Sequence, residues 1–135
     1  MTAETETTVE EYTVQALKFL SQSDAEFAAG DDRQGAEKLY GAATQAVIAA
    51  AKQRGWRYRS HRDNKNATTR LAAELNDDLL LAGFLAAEKF HIHFHHGGME
   101  NYEIDQDRPV VNRYVQRMVS LINEYELNGH NGRQG

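Results

Sequence analysis

The sequence predicts an all-α protein, an up-and-down bundle of about five helices. Three observations carry this expectation. The 135 residues contain one proline, Pro109. Runs of β-branched residues are few, and apolar residues recur at i, i+3, i+4 and i+7, the spacing that keeps one helical face away from water. A chain of this length encloses one core without covalent staples. The expected layout is a flexible acidic tail over 1–12, a single bundle domain over 13–127 and a flexible tail over 128–135.

The first helix is expected over about Val9–Ala29, with Leu17, Leu20, Phe27 and Ala28 inward, ending at Gly30 where a left-handed residue costs least. Asp31 or Asp32 caps a second helix, whose Ala36, Leu39, Tyr40, Ala43, Ala46, Val47 and Ala50 form a stripe that Gly55 ends. Its alanines and Gly41 imply close approach to a neighbour. A short third helix over Asn66–Leu75 turns Leu71, Ala72 and Leu75 inward. The fourth, Asp77–His95, is apolar nearly all round: only Ala82, Lys89, His93 and His96 are left for an outer stripe. Such a helix is either the centre of the bundle or half of a subunit contact, and a homodimer through this helix is expected. Met99–Gln106 reads as a loop. Asp107 then caps a fifth helix with Pro109 in its first turn and Val111, Tyr114, Val115, Met118, Ile122 and Tyr125 inward, stopped by Asn128-Gly129.

Composition excludes several function classes. Cysteine is absent, so no disulfide or thiolate site can form, and the composition fits a reducing compartment; the cytoplasm is the expected location. Residues 1–11 are acidic and Thr-rich, unlike a signal or transit peptide. No membrane association is expected, because Leu79–Phe90 is too short to cross a bilayer and contains Glu88 and Lys89.

The net charge of −5 is unevenly placed. Lys52–Lys65 carries six cations against Asp63 alone, a local +5 that leaves −10 elsewhere. Within it, Arg54-Gly-Trp-Arg-Tyr-Arg-Ser-His61-Arg62 sets guanidinium groups beside two aromatic rings. Guanidinium forks match phosphate oxygens and aromatic faces stack on bases, so Trp56, Arg57, Tyr58, Arg59 and Arg62 are candidate contacts for a nucleotide or single-stranded RNA. Metal-free RNA cleavage needs a proton-transferring imidazole and a cation for the phosphorane, which nominates His61 with Arg54 as catalytic candidates and His91 as an aid. The structural alternative is that the arginines answer a helix dipole and Trp56 plugs the bundle end.

A second constellation closes the fourth helix. Glu88, His91 and His95 share one arc, a geometry able to hold one divalent metal ion, whereas His93 and His96 point elsewhere. A zinc site of His91, His95 and a third ligand such as His61 would, with a water, make a hydrolytic centre; a buried neutral histidine within an apolar stripe is the plainer account of His91. No organic cofactor is expected.

The runs Gly35-Ala-Glu-Lys-Leu-Tyr-Gly-Ala-Ala-Thr-Gln-Ala-Val, Arg54-Gly-Trp-Arg-Tyr-Arg-Ser-His-Arg-Asp and Ala87-Glu-Lys-Phe-His-Ile-His-Phe resemble the HEPN superfamily (higher eukaryotes and prokaryotes nucleotide-binding), most closely its archaeal paralogous-repeat branch. The likeness covers about Leu17 to Ile122. It implies a helical bundle, usually dimeric, with a groove near the dimer interface. Many members are metal-independent ribonucleases of toxin–antitoxin and defence systems, and others are nucleotide-binding or inactive partners. Their signature is Arg, four to six residues, then His; Arg54 and His61 have that spacing but lie after the second helix, not on the later helix where nuclease members carry it. Where the branch commonly has His-x-Asn-Phe-Tyr-Glu, this chain has His91-Ile-His93-Phe-His95-His96. A non-catalytic helical interaction protein is the third expectation, beside RNA binding and RNA cleavage.

Overall fold

A computed structural model describes residues 6–134, with side chains through Asn128. It holds five helices and, among the described residues, no strand: α1 (Val9–Ala28), α2 (Asp32–Gln53), α3 (His61–Leu75), α4 (Asp78–His96) and α5 (Asn101–Gln134). No helix among these residues is long and apolar enough to cross a membrane.

Each start has a chemical cause. Thr8 and Glu11 form a reciprocal capping box at α1, each side chain accepting from the other residue's N–H, at 2.9 and 3.0 Å. The Asp31 side chain accepts from Gln34 N–H and opens α2, and Asp77 accepts from Leu79 N–H at α4. At α3 the Ser60 hydroxyl accepts from Asp63 N–H at 3.1 Å. This helix therefore begins at His61, five residues before the expected Asn66, and draws His61 and Arg62 out of the supposed turn. Asn76 ends α3 in the left-handed region at φ 52°.

The fifth helix departs most from expectation. It begins at Asn101, so most of the supposed loop is helical, with Glu100 N–H donating to the Glu103 carboxylate at its start. Pro109 sits inside the helix, where its missing N–H leaves the Asp105 carbonyl without its usual helix partner. Helical backbone continues past Asn128-Gly129 to Gln134.

The hub of the bundle is α2, which packs against all four other helices. Its Ala36, Leu39, Ala43, Ala46, Val47 and Ala50 are buried as the periodicity predicts, joined by Ala42, Ala49 and Ala51. On α1, Ala16, Leu20 and Ser23 face inward, whereas Leu17 is 40% exposed and Ala28 lies outside. Leu75 of α3 is likewise exposed, while Leu71 and Ala72 are buried. On α5, Val111, Tyr114, Val115, Met118 and Ile122 fill the stripe read from sequence. The Tyr114 hydroxyl meets Thr68 Oγ1 at 2.7 Å in the core, and full burial pushes the phenol far above its ordinary pKa.

Because α2 takes the centre, α4 shows one face to solvent. Leu80, Phe84, Ala86, Ala87 and Phe90 are buried. Leu79, Leu85 and Ile92 are 48%, 45% and 57% exposed, and with Ala82 they form an uncovered stripe. His93, expected on the outer side, is buried at 4% exposure. Contact between α4 and α5 depends on Gly83: a Cβ there would lie 2.5 Å from Tyr114 Cβ and under 3 Å from its ring. We expect Gly83→Ala to lower stability by a net ~1–2 kcal/mol, overpacking outweighing the gain in helix propensity. The urea midpoint should fall at constant m-value, and an unchanged midpoint would show that the helices separate without cost.

Candidate functional site

Three elements bring polar side chains to one edge of the bundle. The N-terminal half of α2 supplies Glu37 and Tyr40, the C-terminal half of α4 supplies Glu88, His91 and His95, and the first residue of α3 supplies His61. Residues three or four apart on a helix share a face, so Glu37 and Tyr40 form one short row and Glu88, His91 and His95 another.

Tyr40 joins the rows. Its ring stacks on His91 with centroids 4.1 Å apart and planes 22° from parallel, and its hydroxyl lies 3.4 Å from His61 Nδ1. Burial raises the phenol's pKa and a hydrogen bond with Thr44 opposes this; the carboxylates Glu88 and Glu37 add to the rise. Tyr40 therefore stays a hydroxyl donor at neutral pH. His61 and His91, far apart in sequence, meet through one tyrosine, His91 at the ring face and His61 at the hydroxyl.

His61 Nε2 lies 2.6 Å from Glu88 Oε2. A carboxylate accepts, so Nε2 carries a hydrogen; in the neutral ring Nδ1 is the acceptor, and it faces the Tyr40 hydroxyl. Half of the His61 side chain remains open to solvent, at 49%. A carboxylate that sets tautomer and orientation is a device general bases use, and the contact between Nδ1 and the Tyr40 hydroxyl, at 3.4 Å, is long enough to yield to another donor.

Glu88 is thus not the carboxylate beside His91 and His95. That position belongs to Glu37, whose oxygen lies with the ligand nitrogens of His91 and His95 inside a span of 4.8 Å. The regrouping follows from α3 starting early, which brings His61 within reach of Glu88. Glu37 and Tyr40 do not stand out in the sequence as site residues, because Tyr40 reads as part of the apolar stripe of α2 and Glu37 lies beside that stripe.

Arg54 takes a different direction from His61. Its guanidinium sits 4.4 Å from the Tyr125 ring centroid and 5.9 Å from that of Trp56, and it donates to the Ala50 carbonyl and the Gln53 side chain. Burial lowers its pKa, with Tyr125 and Glu74 opposing. Among the described contacts it shares no partner with His61. The spacing that suggested a pair is the length of the turn between α2 and α3.

The remaining basic residues divide by surroundings. Trp56, half-buried, carries Arg70 at 4.1 Å over its ring and lines an open cleft of about 370 Å³ with Arg57, Asp63, Asn66 and Arg70. Tyr58 is flanked by Lys52 at 5.4 Å and Arg59 at 5.5 Å, and its hydroxyl donates to Glu6. Arg57, Arg59, Arg62 and Lys65 are exposed, and among the described residues none has an ion-pair partner. Asp63 is occupied in accepting from Arg59 N–H at 3.1 Å.

His93 is a different histidine. Its Nε2 donates to Asp32 at 2.8 Å and its Nδ1 accepts from Met99 N–H at 3.1 Å, so both nitrogens are used inside the fold. The two histidine–carboxylate pairs should separate by mutation. His93→Ala leaves a partly buried N–H without an acceptor and should cost ~2–3 kcal/mol, whereas Glu88→Ala, at an open pair, should cost under ~1 kcal/mol. Chemical denaturation of both variants checks this; equal losses would mean that the His61–Glu88 pair also serves mainly to hold the fold.

Comparison with known proteins bears on these residues through one match. No match was found among curated proteins or among solved structures. The family model described as the archaeal PaREP1/PaREP8 family matches residues 11–115, a span that contains every side chain of the Tyr40 cluster and the whole basic island. On that match, the chain belongs to the archaeal PaREP1/PaREP8 family.

Proposed function

We propose that this protein is a HEPN-type helical module of the cytoplasm that binds RNA or nucleotides through the phosphate backbone. The observation carrying this reading is the set of exposed cations Arg57, Arg59, Arg62 and Lys65, without ion-pair partners among the described residues, around the N-terminus of α3. Cations there are not explained by internal neutralisation, and the backbone donors of a helix start add to the attraction for anions. Arg59 and Arg70 lie over Tyr58 and Trp56, so a base can stack on a guanidinium plane as well as on an aromatic face.

The His61–Glu88 pair favours a second reading at the same edge, metal-independent RNA cleavage. His61 Nδ1 takes the proton of a 2′-hydroxyl, whose oxygen bonds to phosphorus as the P–O5′ bond breaks; the leaving 5′-oxygen takes a proton from solvent water, and the products are a 2′,3′-cyclic phosphate and a 5′-hydroxyl. An exposed guanidinium of the island, not Arg54, meets the phosphorane charge. The Leu79–Ala82–Leu85–Ile92 stripe of α4 supports a homodimer, since an uncovered apolar row at helical spacing matches a second copy of itself.

Binding of short single-stranded RNA should weaken as salt rises, and Arg57→Ala/Arg59→Ala/Arg62→Ala should lower affinity by roughly tenfold or more and flatten the salt slope by about two to three ions. Equal weak binding by both proteins would remove the reading. For cleavage, His61→Ala and Glu88→Gln should each slow product formation while RNA affinity changes little; retained cleavage in His61→Ala rejects the catalytic role. Sedimentation of Leu85→Lys/Ile92→Lys should give a monomer where the natural sequence gives a dimer, and identical masses would exclude this face as the contact.

A further inference from the structure

We propose that Glu37, His91 and His95 form a three-ligand site for a divalent transition-metal ion of the zinc class, with a fourth position open to solvent. The site goes beyond RNA binding and does not depend on it.

Two kinds of observation converge. The first is placement: the carboxylate and the two imidazoles come from facing helices, and their ligand atoms lie within 4.8 Å of one another. Tetrahedral ligands at zinc bond lengths stand about 3.4 Å apart, so small side-chain rotations about unmoved backbones suffice to close the set. The second is a pair of unsatisfied atoms. Glu37 Oε2 and His91 Nδ1 are shielded from solvent, and neither has a hydrogen-bond partner. Leaving such atoms unpaired is unfavourable. A cation between them accounts for both at once, whereas a packing role for His91 leaves its inner nitrogen unexplained.

The surroundings favour one ion and fix the rings. Stacking on Tyr40 holds His91, whose ring meets that of His95 edge-on at 4.7 Å, and Phe94 packs against His95 at 4.8 Å. The C-terminal end of α4 carries the negative pole of the helix dipole, which favours a cation there. His95 is exposed, so ion and water have an entry path. Two imidazoles with one carboxylate suit zinc and its first-row neighbours; magnesium and calcium prefer all-oxygen shells. Neighbouring histidines are not substitutes: His93 is closed by Asp32 and Met99, and His96 lies outside the cluster.

The test is calorimetric titration of the full, chelator-treated chain with ZnCl2, without RNA, so that its result is separate from that of the RNA reading. One equivalent should bind, and MgCl2 should give no saturable heat. Glu37→Gln keeps the side-chain shape and His95→Ala removes an exposed ring, so neither should disrupt the fold, which circular dichroism checks; each should weaken binding at least tenfold. His96→Ala should bind within twofold of the natural sequence. Cobalt(II) in place of zinc should give the intense visible bands of a four-coordinate site, lost in Glu37→Gln. Absence of a saturable equivalent, zinc binding by Glu37→Gln equal to that of the natural sequence, or a loss in His96→Ala as large as in His95→Ala would overturn the assignment.

Discussion

The structure depends on how closely other helices can approach α2. Nine of its inward residues are small or medium apolar side chains, seven of them alanine. Alanine adds little to helix-side-chain entropy loss and keeps helix axes near, so one central helix can touch four others. Larger residues at these positions would force the neighbours outward and separate the rows of polar groups that α2 and α4 present to each other. The same economy has a counterpart on α4, where Gly83 lets the backbone meet Tyr114. Close approach, more than the area of any large side chain, governs this core.

From that constraint the polar edge follows. With α2 and α4 held together, Tyr40 can stack on His91 and still reach His61, and Glu37 is carried to the imidazoles of α4. The histidines then divide by what their second nitrogen does. His93 has both nitrogens committed and acts as a joint between α2, α4 and the segment before α5. His61 has one committed to Glu88, and His91 has an inner nitrogen with no partner. His91 and His93, two residues apart on α4, thereby acquire different chemistry from their angular positions, and His61 owes its own to the start of α3.

Much of this was legible in the sequence. Periodicity alone located the buried faces of α2 and α5, and caps and glycines bounded α1, α2 and α4 closely. Three boundaries differ from the sequence reading: the start of α3 and both ends of α5. Ser60-x-x-Asp63 is a start signal that the surrounding arginines obscure, and Pro109 reads as a first-turn residue although a long helix can lose one internal hydrogen bond when its neighbours hold it. The site was legible only in part. His61, His91 and His95 stand out by type, but which carboxylate lies near each depends on how the helices are rotated against one another, which no spacing within one helix reveals: Glu88 meets His61, and Glu37 lies near His91 and His95. Arg54 shows the converse, since a spacing that matched a motif dissolves once its side chain is seen against Tyr125.

Arg33, in the first turn of α2, donates through Nε and Nη2 to the Phe94 carbonyl at 2.9 and 2.7 Å. A final helical turn ordinarily frays at small energetic expense, because its carbonyls find water as readily as protein. Here unwinding must also pull a charged fork off its acceptor. The turn carrying His91 to His96 is thereby moored to the opposite helix, and its side chains keep one mutual arrangement over longer intervals than a loose terminus would allow.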